Sequence, residues 1–407
     1  MHSSILSRVL ARSVVSALVL AAVVAHAQTF NETVLYNFAG TIDGSDPSGL
    51  ILDGKGNLYG TTPNGGTAQS ACGNSGCGNI FRVTPAGAES NIRNFLGQPN
   101  DGQEPVVGLI ADKSGNGYGT TYLGGAHKAG TVFEITKAGQ EGPIYSFAGS
   151  PDGSGPCSPL ASDTAGNLYG VTSGGGTVGF GTVYKLTKSG GQWKESVLYN
   201  FTEFSYLNQP PNLVCAGLVV DSAGNLYGTT YENGANHLGM IFEISPTGQE
   251  TNLYSFKGSS DGAFPMAGLV RDSAGNLYGT ATAGGDVTSN TCGQIGCGVV
   301  FVLNSSHQET VLHTFEKSDG LMPEGTLLRD SQGNLFGPAL NGGSGLGGVV
   351  FAVSARGQFS VLHNFSGPDG YQPQQGLIRD SKGNLYGTTV QGGTIGYGTV
   401  YKLSPTR

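Results

Sequence analysis

Seven near-identical heptapeptides recur along the chain: GNLYGTT from Gly56, GNGYGTT from Gly115, GNLYGVT from Gly166, GNLYGTT from Gly224, GNLYGTA from Gly275, GNLFGPA from Gly333 and GNLYGTT from Gly383. Their spacings of 59, 51, 58, 51, 58 and 50 residues describe a period near 51 with three insertions of seven or eight. A β-solenoid coil is about half that length or shorter, whereas roughly 40 to 50 residues build one four-stranded propeller blade. The repeat therefore predicts an all-β fold, a seven-bladed β-propeller with four antiparallel strands per blade.

Within a unit four strand-like runs, A to D, are illustrated by GLVVD (217–221), NLYGTT (225–230), GMIFEIS (239–245) and ETNLYSF (250–256). The A–B link is a tight turn, DSAGN, in which Asp accepts backbone N–H groups and Gly takes positive φ. SPTGQE makes an equally tight C–D turn. The B–C link carries a glycine doublet in most units, and the D–A link carries DGxxP in six, starting at Asp43, Asp101, Asp152, Asp261, Asp319 and Asp369. On this reading GNLYGTT is strand B and a packing signature, its Leu packing between blades and its glycines permitting close approach to neighbours.

The ends predict how the ring closes. ETVLYNF (32–38) is a D strand without a blade, and GTVYKLS (398–404) is a C strand without its D. Pairing them antiparallel removes two open sheet edges.

Arg8 and Arg12, the apolar run from Val14 to Val24, and Ala25, His26 and Ala27 have the order of a secretory signal peptide cut before Gln28. Residues 1–27 are expected to leave, and 28–407 to form one propeller domain, secreted to the periplasm or cell exterior as a monomer with no membrane span. Against 20 Lys and Arg stand 28 Asp and Glu, a net charge of −8 that disfavours nucleic acid and anionic membranes. Only 12% of residues are charged and 70 are Gly, yet periodic apolar strands after each glycine cluster argue against disorder.

The ordered set of motifs, DSAGNLYGTT, the glycine doublet, a GTVFKLT-like strand, ETVLYSF and DGxxP, resembles the GloVer tandem repeat of bacterial secreted proteins over residues 29–403. That resemblance implies a propeller-like fold and, for many members, a C-terminal surface-sorting signal; it implies no biochemical activity. This chain reads KLSPTR directly after its last strand, so C-terminal anchoring is not expected.

Six cysteines allow 15 pairings, and the repeat alignment selects among them. Cys72 with Cys77, and Cys292 with Cys297, share inserted loops. Cys157 and Cys215 each stand six residues before the Asp that ends strand A, in neighbouring blades. Disulfides for all three pairs suit an exported chain.

Candidate chemistry is sparse. Asp53, Asp112, Asp163, Asp221, Asp272, Asp330 and Asp380 end the A strands and read as turn caps, since DSAGN offers one acid where calcium needs several oxygens. His313 and His363 replace the strand D tyrosine as packing variants. No HExxH, GxSxG or phosphate-loop context occurs, so no catalytic residue, metal or cofactor is expected. Arg271, Arg329 and Arg379 stand out on the inner strands and are expected to point outward, solvated.

All three insertions fall on the face shared by B–C and D–A links, while the A–B and C–D turns of the other face are monotonous. The insertion before Cys215 supplies Glu203, Phe204, Tyr206 and Asn208, a composition suited to a sugar or peptide, and His127 and His237 sit in B–C loops of the same face. The expected function is non-catalytic binding of a carbohydrate, peptide or protein partner there. The alternative is a propeller enzyme of lactonase or lyase type with its site at the channel mouth.

Overall fold

A computed structural model describes residues 29–73, 75–97, 99, 101–137, 139–202, 215–288 and 292–406. The segment 1–27, together with Glu203, Phe204, Tyr206 and Asn208, lies outside the described residues.

Seven blades follow one another in chain order, each an antiparallel sheet with strands in the order A, B, C, D. Blade 4 shows the plan: A is Val219–Val220, B Leu226–Thr230, C Met240–Ile244 and D Glu250–Ser255. Strand A is two residues long in every blade, so the inner wall is short and most of the sheet is B, C and D. The outermost strand is bulged at the same place in all seven blades, as between Ile241 and Phe242 of the C strand it pairs with. A bulge sharpens local twist.

The last blade has its A, B and C strands at Ile378–Arg379, Leu385–Thr389 and Thr399–Pro405, and its D strand is Phe30–Asn37 from the other end of the chain. The pairing runs antiparallel from Phe30 opposite Pro405 to Asn37 opposite Thr399. It is longer than the repeat alone predicts, because Phe30 and Asn31 also join it.

Seven apolar clusters, each lying between neighbouring blades, make up the core. Strand C of every blade contributes one fully buried ring: Phe81, Phe133, Tyr184, Phe242, Phe301, Phe351 and Tyr401. Each meets, edge to face, the phenylalanine that directly follows strand D of the preceding blade, with centroids 4.9 to 6.1 Å apart from Phe38 and Phe81 round to Phe365 and Tyr401. Edge-to-face geometry places the positive ring edge on the negative face of its neighbour. The heptapeptide repeat follows from this. Gly228 pairs with Phe242, and a Cβ at Gly228 would lie 2.6 Å from Phe242 Cζ and 2.9 Å from Leu218 Cδ2. The strand B glycine is thus a floor for the aromatic ring of its own blade, and this is the close approach that its place in the repeat predicts.

The A–B aspartates are caps, as their spacing predicts. Asp221 Oδ1 accepts the backbone N–H of Ala223 and Asn225 at 2.9 Å, while Oδ2 accepts Asn225 Nδ2 at 3.0 Å and the Tyr227 hydroxyl at 3.2 Å. The pattern repeats at Asp53, Asp112, Asp163, Asp272 and Asp380. At Asp330 the tyrosine is replaced by Phe336, which has no hydroxyl, and Arg379 Nη1 donates to Oδ2 at 2.7 Å instead.

That contact corrects the expectation for the arginines. Arg271, Arg329 and Arg379 are 28 to 30% exposed and reach back to the preceding blade, where their guanidinium groups lie near Asp221, Asp272 and Asp330 at 4.0, 3.9 and 2.7 Å. Each also covers an aromatic ring of that blade, Tyr227, Tyr278 or Phe336, at 5.3 to 5.4 Å. A carboxylate and a π-face together hold a guanidinium more favourably than bulk water does at a blade boundary. The arginines are inter-blade staples.

Two opposed sets of carboxyls set the pH dependence. Glu32, Glu195 and Glu309 lie half-buried in D strands; desolvation first, and then the charges of Asp369, Asp152 and Asp261 respectively, push them from an ordinary 4.5 up to about 7. Stability from these groups is full below the unfolded pKa and lost as pH rises through about 7. The seven turn-cap aspartates titrate below their ordinary value: desolvation opposes the shift, and hydrogen bonds from Asn and the turn N–H groups outweigh it. Their stability is present above the unfolded pKa and lost on acidification. The melting temperature should peak at about pH 5 and fall on both sides, by about pH 8 and by about pH 3. A profile that rises steadily from about pH 5 to about pH 8 would contradict this assignment.

Candidate functional site

The DGxxP aspartates organise the D–A links. Asp43 Oδ2 accepts the Tyr36 hydroxyl at 2.9 Å and the Ala39 N–H at 2.7 Å, and Asp152 and Asp261 do the same with Tyr145 and Tyr254. Arg93 takes the tyrosine's place at Asp101, with Nη2 at 2.8 Å. His313 and His363 take it at Asp319 and Asp369, with Nε2 3.1 and 2.9 Å from Oδ2. They are more than packing variants, since each preserves the hydrogen bond that ties strand D to the following link.

These links descend toward the ring axis and enclose a cavity of about 800 Å³. Its wall takes residues from all seven blades, among them Glu104, Tyr122, Met266, Glu324, Thr326 and Gln374. Glu324 accepts Gln374 Nε2 at 3.1 Å, and burial raises its carboxyl above the ordinary carboxylate value against that hydrogen bond. Glu104 accepts Gln103 Nε2 at 3.2 Å. Neither glutamate stands out in a reading confined to the inner strands, because both lie in D–A links, Glu104 immediately before the link proline and Glu324 immediately after it. Aligning the two variable positions of DGxxP would have exposed Glu104.

Cys157 and Cys215 are disulfide-bonded and line this cavity, with α-carbons 5.1 Å apart. Cys72 with Cys77 and Cys292 with Cys297 close the inserted loops, each at 5.2 Å between α-carbons. Three disulfides fit an extracellular chain. No helix among the described residues is long and apolar enough to cross a membrane.

His127 and His237 are exposed at the B–C loops of blades 2 and 4, with blade 3 between them, so the fold does not bring them together. His237 holds φ of 55°. Among the described residues there is no group of three or more His, Cys, Asp or Glu placed to hold a metal ion.

Exposed apolar side chains are distributed unevenly. Ile42, Leu96, Val178, Met266, Ile295, Leu346, Ile395 and Tyr397, the large hydrophobics exposed among the described residues, range from 41 to 63% accessible. All eight sit in B–C or D–A links, on the insert face, and none on the face of tight turns. A second cavity of about 440 Å³ opens on the turn face between blades 3 and 4, beside Asp163, Tyr169 and Lys185. Val220 stands there in the position that Arg271 holds one blade later, while Lys185 of blade 3 lies 5.5 Å above the Tyr169 ring.

The Gloeobacter/Verrucomicrobia repeat family model matches residues 66–292 and 286–407. The chain belongs to this family. Membership accounts for the ordered motifs of the Gloeobacter/Verrucomicrobia repeat, which the structure now shows to be the strands, turns and aromatic floor of a blade. No curated protein matches the chain. Two extracellular domains assigned to hybrid two-component systems of B. thetaiotaomicron resemble it in fold. One has 15% identity and a TM-score of 0.54, covering 93% of this chain and 41% of that one; the other has 12% identity and a TM-score of 0.57, covering 92% and 40%. The chain spans about two fifths of the length of those structures.

Proposed function

We propose that this member of the repeat family is a secreted, non-catalytic propeller that binds a carbohydrate, peptide or protein partner on its insert face, after removal of the signal peptide. The observation that carries the reading is the segregation of all eight exposed large hydrophobics onto that face. Exposed apolar side chains gathered on one face and missing from the other support an interaction site on that face. The axial cavity opens among the same links and supplies polar groups that could orient a ligand. Glu203, Phe204, Tyr206 and Asn208 belong to a link of this face by chain order and are proposed to contribute to the site.

A glycan and peptide array probed with the purified chain tests the proposal. Binding of an array ligand should weaken about tenfold in Tyr397→Ala or Ile395→Ala, the loss expected of an exposed anchor that becomes buried, and stay unchanged in Lys113→Ala on the turn face. Hydrolysis or isomerisation of an arrayed sugar lactone by the chain would instead support the lactonase reading.

A further inference from the structure

The residue before the link proline adopts a left-handed backbone in each of the six blades where DGxxP occurs. Asp46, Glu104, Gly155, Phe264, Met322 and Gln372 have φ between 56° and 61°. Nine non-glycine residues with positive φ are described, and five of them occupy this single position. Glycine adopts that conformation without the clash that a Cβ brings, and a following proline restricts the residue further.

The backbone here is held on both sides. Each N–H donates to a carbonyl in the B–C loop of the preceding blade: Glu104 to Cys77 at 3.0 Å, Phe264 to Leu238 at 2.8 Å, Met322 to Cys297 at 3.0 Å and Gln372 to Gly347 at 2.8 Å. Their carbonyls accept from the residue that follows strand B of their own blade: Tyr122, Thr282, Leu340 and Val390, at 2.9 to 3.3 Å. Main-chain geometry is therefore uniform around the ring while the side chains are not. If folding alone governed the position, glycine would serve at every blade, as it does at Gly155.

The side chains differ by sector. Blades 1 and 2 present Asp46 and Glu104, and Glu104 lines the axial cavity. Blades 5 and 6, across the axis, present Phe264 and Met322. Phe264 stacks on Tyr231 with centroids 4.8 Å apart, and Met266, two residues on, is 41% exposed. One arc is acidic and the other apolar, both carried by D–A links of the insert face, and of these four residues Glu104 alone lines the axial cavity.

We infer that these pre-proline residues form a specificity ring for a peptide segment that carries a lysine or arginine beside a bulky apolar residue. The basic group lies toward Asp46 and Glu104, and the apolar group on Phe264 and Met322. This rests on the insert face being the binding face and adds the chemistry of its ligand. The chain's net charge of −8 favours the same partner through long-range attraction.

Replacement by glycine separates recognition from folding at these positions, because the backbone already has the conformation glycine prefers. The probe is a fluorescein-labelled hexapeptide of alternating lysine and leucine, with an alternating glutamate and leucine hexapeptide as control, read by anisotropy at physiological ionic strength. Glu104→Gly, Phe264→Gly and Met322→Gly should each weaken the lysine peptide at least about tenfold and melt at or above the parent temperature, and the glutamate peptide should not bind. Equal affinity in all three variants would overturn the ring, as would affinity lost only together with a lower melting temperature. If the lysine peptide does not bind while an array ligand still responds to Tyr397→Ala, the ring assignment fails and the insert-face reading stands.

Discussion

Deleting residues 28–40 should lower stability by more than about 5 kcal/mol and leave a chain that unfolds tens of degrees below the parent. The deleted strand pairs with Thr399–Pro405 along its length, so its loss exposes a row of unpaired backbone groups on the last blade. It also removes Phe38, which is fully buried and meets Phe81 of blade 1 at 5.0 Å. A buried Phe truncated to Ala alone costs about 3 to 5 kcal/mol, and the deletion opens the ring as well. Supplying a peptide of residues 29–39 in trans should restore part of the loss. Melting at the parent temperature would mean that the ring is held closed by something other than this strand.

Gly228→Val is expected to be nearly as damaging, by about 3 kcal/mol or more, although it changes a single small residue. A side chain there would be driven into the Phe242 ring and Leu218, both fixed by their neighbours, and overpacking of this kind cannot relax cheaply. Gly142 supplies the contrast. It lies in strand D of blade 2 without positive φ, and a Cβ added there would meet nothing within 4 Å, so Gly142→Ala should shift stability by less than about 0.5 kcal/mol. Denaturant melts of the two variants check both values. Equal effects would remove the aromatic-floor account of the repeat.

Much of this architecture is readable without coordinates, because a repeat turns one blade into seven observations. Period, strand order, closure and the pairing of Cys157 with Cys215 all follow from aligning units with one another. The turn aspartates are legible for a related reason: their partners lie two to six residues away in the chain.

Contacts across blade boundaries are harder to read. Arg271, Arg329 and Arg379 look like solvated outliers until the preceding blade brings Asp and an aromatic ring under each guanidinium. In the same way, the heptapeptide shows that its glycine is required, while only the fold shows the ring lying over it. Glu104 and Glu324 escape a search for chemistry on inner strands because the channel mouth is built by the D–A links. Left-handed backbone at Phe264 or Met322 has no signature in composition, as neither residue type favours it.

On the proposed function, one face of the propeller binds and the other serves folding. Hydrogen exchange of the intact chain, with and without the strongest array ligand, measures this directly. Slowed exchange is expected in the D–A and B–C links, including those carrying Glu104, Phe264, Ile395 and Tyr397, with the DSAGN and SPTGQE turns unchanged. Protection confined to the A–B turns, around Asp163 and Asp221 beside the smaller cavity, would contradict it.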